Sequence, residues 1–133
     1  MFPSRTFSLV INRPWAEIYG FLSDPRTLGH WTQGVIVEPV HPITDYRWRT
    51  SFGGVPVSID FTPPNDFGVL DLSLRWDDGS TRHYFIRVFP NGSGSELCCT
   101  VLQRPDENDA QFNSECEWLR TDLNILKAHF EGQ

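Results

Sequence analysis

The feature that most constrains this chain lies near its end, where Phe112, Cys116, Leu119, Leu123, Leu126 and Phe130 advance by four, three, four, three and four residues. That spacing puts all of them on one stripe of an α-helix, because residues three and four apart share a helical face. Asn108 or Asp109 can cap the start and Gly132 can stop the end, giving a helix of about twenty residues and roughly 30 Å. An apolar seam of that length must be covered. The helical segments earlier in the chain are too short to cover it, so the partner is a sheet and the class is α+β.

The remaining elements follow from changes of period. Thr6 to Ile11 alternates around Phe7, Leu9 and Ile11 and reads as a first strand. Pro14 opens a short helix reaching Leu22, and Asp24 with Pro25 opens a second that Gly29 ends. From Val35 to Arg104 the period is two, broken by Gly, Pro, Asn and Asp at hairpin spacing. The strands expected there are Val35 to Val40, Tyr46 to Phe52, Val55 to Thr62, Phe67 to Trp76, Thr81 to Phe89 and Glu96 to Gln103. Gly53-Gly54, Asp78-Gly79 and Asn91-Gly92 supply the turns between neighbours, and Pro63-Pro64 marks a bend. The order is β-α-α, then six strands, then α, so the sheet has seven antiparallel strands.

Length and charge narrow the functions. The 133 residues suit a single domain over 1–133 with one core. Ten Phe, five Trp and three Tyr are more flat side chains than so small a core needs, so some are expected to line a cavity. A net charge of −6 and the lack of any basic run argue against nucleic acid or an anionic membrane surface as partner. Met1 to Asn12 has no apolar segment of the kind a secretory signal needs, and no stretch approaches a spanning helix, so the expected location is cytoplasmic. Cys98, Cys99 and Cys116 are odd in number. Neighbours on a strand point to opposite faces, so these read as small buried residues rather than a disulfide or metal set.

The segment from Asn12 to Trp31, with Pro14, Glu17, Ile18, Phe21, Leu22, Asp24-Pro25, Leu28 and Trp31, resembles the opening of the START and birch-pollen-allergen (SRPBCC) superfamily and its polyketide cyclase/dehydrase-like branch. Leu119 to Glu131, with Leu-x-x-Leu-Lys followed by an aromatic and Glu, resembles the closing helix of that superfamily. The resemblance implies a helix-grip fold, a curved sheet closed around the terminal helix, with a ligand between the concave face and the helix. No cofactor is implied.

Strand phase then names the inward residues: Tyr46, Trp48 and Thr50; Val55, Val57, Ile59 and Phe61; Leu70, Leu72, Leu74 and Trp76; Tyr84, Ile86 and Val88; Leu97, Cys99 and Val101. The ligand site expected from them comprises Tyr46, Trp48, Val57, Ile59, Leu72, Leu74, Trp76, Tyr84, Ile86 and Cys99. Phe112, Cys116 and Leu119 join it from the open end of the helix, and Leu123, Leu126 and Phe130 are expected in closed core. His83, Arg87, Arg47, Arg49, Asp60 and Asp71 take the opposite, solvated faces.

No Ser-His-Asp elbow, His-x-x-x-His, glycine-rich phosphate loop or Cys-x-x-Cys is present, so no catalytic residue is named and no metal expected. Three functions remain. The first is binding of a small hydrophobic or aromatic ligand in the cavity. The second is a polyketide cyclase/dehydratase-like enzyme using a buried Tyr or Arg. The third is a protein-interaction or co-chaperone-type module anchored on Trp15 or Trp118.

Overall fold

The computed structural model describes residues 1–32 and 39–132. The terminal helix, α2 (Asp109–Glu131), begins with a reciprocal cap: Gln111 N donates to Asn108 Oδ1 and Asn108 N donates to Gln111 Oε1, each at 2.8 Å. Its whole apolar stripe is buried, from Phe112 through Phe130. The stripe joins the inward residues of the strands in one core cluster, which includes Val57, Ile59, Leu74, Ile86, Val88, Leu97, Cys99 and Val101. Each fully buried aliphatic or aromatic side chain there contributes about 1.5–3 kcal/mol relative to exposure, so the helix–sheet contact is the principal stabilising layer.

The strands are β1 (Ser4–Ile11), β2 (His41–Pro42), β3 (Arg47–Phe52), β4 (Val55–Phe61), β5 (Leu72–Trp76), β6 (Thr81–Asn91) and β7 (Gly94–Leu102). They form one antiparallel seven-stranded sheet in the order β1-β7-β6-β5-β4-β3-β2, so the first and last strands of the chain are adjacent. Between β1 and β2 lie α1 (Trp15–Leu22) and a 3₁₀ helix (Pro25–His30). Pro14 stands at the N-cap of α1, and the Asp24 side chain caps the 3₁₀ helix by accepting from Arg26 N at 3.0 Å. Ile18 and Leu28 anchor these two pieces in the core. The far end of α2 is tied to the end of β1 and the residues after it: Arg13 Nε donates to Phe130 O, Asn12 N to Glu131 Oε2 and Lys127 Nζ to Val10 O.

The fold is the α+β helix-grip arrangement expected from the sequence, with two local differences, at Tyr46 and in the segment before β5. Residues 35–38 of the expected strand Val35–Val40 lie outside the described residues; the described strand nearby is β2, whose His41 and Pro42 pair with Arg49 and Trp48. Tyr46 precedes β3 and is exposed, and its carbonyl accepts from Phe61 N at 2.8 Å. The strand expected from Phe67 starts at Leu72 because Asn65 curls the preceding segment. Its Oδ1 accepts from Phe67 N and Val69 N, and its Nδ2 donates to Pro63 O and Val69 O. Side-chain bonds of this kind compete with a regular ladder. The convex face carries the charged residues expected there, with Arg47 paired to Asp60, Arg49 to Asp77 and Arg87 to Asp71.

Candidate functional site

Between the sheet and α2 the packing leaves a cavity of about 240 Å³. Alternation along the strands supplies its floor: Ile59 from β4, Leu72 and Leu74 from β5, Tyr84 and Ile86 from β6, and Cys99 from β7. Helical spacing supplies the opposite wall, where Glu115, Trp118, Leu119, Asp122 and Leu123 fall on one flank of α2. Leu28, Trp31 and Thr32, from the 3₁₀ helix and the residues after it, close one side, and Phe52 at the end of β3 closes another.

Ile59, Leu72, Leu74, Tyr84, Ile86, Cys99 and Leu119 are therefore brought together as the sequence led one to expect. The other expected residues sit elsewhere. Val57, Phe112 and Cys116 are buried in closed core, and Tyr46 is exposed. Trp48 is half-buried on β3 outside the cavity lining. Trp76 packs edge-on to Phe52 at 6.2 Å between ring centres, with the Arg104 guanidinium 5.1 Å over its face.

The cavity thus lies nearer the middle of α2 than its start, and Leu123, expected in closed core, forms part of the wall. A buried ion pair lies outside the cavity lining. Arg82, 6% exposed, shares the inward face of β6 with Tyr84 and donates to Glu107 Oε2 at 2.7 Å and to Leu102 O at 3.0 Å.

Several lining residues were not among those expected. Phe52 follows Trp48 and Thr50 in strand phase, so its position was readable from parity alone. Leu28 and Trp31 stood out only through the family-like opening segment. Glu115 and Asp122 flank the apolar stripe, where a carboxylate ordinarily meets water, and only the space beside the helix gives them a role.

Polar groups are few and specific. The Tyr84 hydroxyl donates to Glu115 Oε1 at 2.6 Å. Burial, helped by the neighbouring Glu115 carboxylate, holds the Tyr84 phenol well above its ordinary value, so it stays protonated and acts as a donor. Burial also pushes the Cys99 thiol up to about 12, so this residue is an apolar wall and not a nucleophile at neutral pH. Thr32 Oγ1 donates to Leu28 O at 2.8 Å. The Trp31 indole N–H is buried and has no acceptor among the described residues.

No family model matches the chain, and no curated protein matches it in sequence. Solved structures match over nearly its whole length. A START superfamily protein from Mycobacterium smegmatis superposes with a TM-score of 0.77 at 12% identity, covering 97% of each chain. The Aha1 dimer from Colwellia psychrerythraea gives 0.73 at 12% identity, over 97% of this chain and 96% of that one. Ara h 8.0201 gives 0.72 at 9% identity and covers 100% of both.

Together with the gripped α2, these likenesses define the class: this is a helix-grip protein with the architecture shared by a START superfamily protein and Ara h 8.0201. At such low identity the likeness is one of fold, and what the cavity holds has to be argued from its own residues. No helix among the described residues is long and apolar enough to cross a membrane.

Proposed function

We propose that the chain binds a small hydrophobic or aromatic molecule in the cavity between its sheet and α2. The observation that carries this reading is the space itself: about 240 Å³ walled mainly by Leu, Ile and aromatic side chains, in a core that is otherwise closely packed. The volume lies below the ~300–1,000 Å³ of pockets for drug-sized ligands, so the occupant has one or two rings rather than a sterol skeleton. Burial of its apolar surface at ~25 cal/mol per Å² supplies most of the affinity.

Native mass spectrometry of freshly purified protein tests this directly. The expected result is a bound small molecule, or uptake of one- and two-ring aromatics, neutral or charged, with a raised melting temperature. Protein that carries nothing and takes up none of them overturns the reading.

One observation favours a second reading, a polyketide cyclase/dehydratase-like enzyme. The Tyr84 phenol and Glu115 carboxylate form a hydrogen-bonded pair at the cavity wall, an arrangement suited to polarising a carbonyl or passing a proton. Turnover of a polyketone that is lost on Tyr84→Phe, with binding kept, would establish it.

A further inference from the structure

We propose that the occupant is a small protonated amine: an apolar ring system whose ammonium group lies against Glu115, Trp118 and Asp122, and which carries a hydrogen-bond acceptor for the indole N–H of Trp31. This rests on the cavity-binding reading above and deepens it.

The wall of α2 that faces the cavity contributes two carboxylates, Glu115 and Asp122, and the described lining residues include no Lys, Arg or His. Both acids are half-buried, unlike Asp109 and Glu117 on the outer side of the same helix. Glu115 receives the Tyr84 hydroxyl on Oε1, and a carboxylate has about four acceptor sites, so that bond leaves capacity for a ligand donor. Trp118 is three residues after Glu115 and four before Asp122, which puts its ring on the same flank; it is 51% exposed, so a cation reaching its face keeps part of its hydration.

The second, independent observation comes from a different element. Trp31 is 8% exposed, lines the same cavity, and holds a buried N–H donor without an acceptor among the described residues. Buried donors are nearly always satisfied, so this one is suited to an acceptor brought by the occupant. The net charge of −6 favours approach of cations to the molecule over anions. An anionic lipid or aromatic acid would meet two carboxylates and no cationic side chain among the described lining residues.

The test uses four probes on one indole body, with isothermal titration calorimetry of the full chain. They are 5-methoxytryptamine, the neutral 5-methoxytryptophol, 5-methoxyindole-3-acetate, and tryptamine, which lacks the ring acceptor. The expected order is 5-methoxytryptamine tightest, the alcohol on the order of tenfold weaker and the carboxylate weaker still, as loss of a hydrogen bond to a charged group implies. Glu115→Gln with Asp122→Asn should bring amine and alcohol within about twofold of each other. Tryptamine should bind more weakly than its methoxy analogue to the wild type and equally to Trp31→Phe.

A carboxylate or alcohol that binds as tightly as the amine overturns the inference while leaving the cavity reading standing. Equal binding of tryptamine and 5-methoxytryptamine to the wild type removes the acceptor assigned to Trp31. Failure of all four to bind overturns both the inference and the cavity reading for ligands of this size. The wild-type order alone decides the matter if the double variant does not fold.

Discussion

At Cys99 the inward face of β7 places a thiol in the cavity wall, and its chemistry follows chiefly from that burial, with the nearby Asp71 and Glu115 carboxylates adding to it. With the folded value near 12 and the ordinary one at 9.0, the thiol is protonated in both folded and unfolded chains below pH 9. As the pH rises from 9 toward 12, only the unfolded chain ionises, so folding stability falls by up to roughly 1.4 kcal/mol per pH unit across that window. Cys99→Ala should flatten this alkaline decline, measured as the urea midpoint at pH 8 and at pH 10.5; an unchanged slope would refute the assignment. Arg82 shows the opposite case, a charge that is buried and paired. Arg82→Met leaves Glu107 without its partner and should cost about 3–5 kcal/mol in chemical unfolding, whereas Arg82→Met with Glu107→Leu should cost much less. Both residues were within reach of sequence reasoning to different degrees. Cys99 followed from strand phase, and the same phase, carried two residues back from Tyr84, puts Arg82 inward, but its partner Glu107 lies in a loop with no periodicity to reveal it.

Among the elements, α2 and the hairpins were legible because each is decided by neighbours in the chain. The α2 stripe, its Asn108 cap and its stop at Gly132 all stand where the spacing put them. The segment before β5 was not legible, because Asn65 and Gly68 override the alternating pattern. Gly68 has φ +70°, and a Cβ there would lie 1.9 Å from the Val88 carbonyl oxygen of β6. Gly68→Ala should therefore destabilise by at least about 2 kcal/mol, since both the backbone conformation and the close approach forbid a side chain. Gly53→Ala, also at positive φ but facing open space, should cost only about 1 kcal/mol. Equal losses for the two in guanidinium unfolding would mean that the contact with β6 is unimportant.

At the scale of the whole molecule, the question is whether the space between sheet and helix is a designed site or a packing remainder. Leu72→Trp answers it by filling the cavity from β5. If the space is a site, the variant should keep a melting temperature within a few degrees of the parent, because the added ring enters existing volume rather than a full core, yet lose the stabilisation by aromatic ligands. Retained ligand stabilisation would place binding elsewhere. Periodicity alone determined the class, the order of elements and the inward side of most strands, because each of those properties repeats within a few residues along the chain. The position of the cavity, the pairing of Arg82 with Glu107, and the meeting of Trp31, Tyr84, Glu115 and Asp122 were decided only in three dimensions. They depend on the gap left where the 3₁₀ helix, the sheet and α2 come together, and no single element carries that distance in its own pattern.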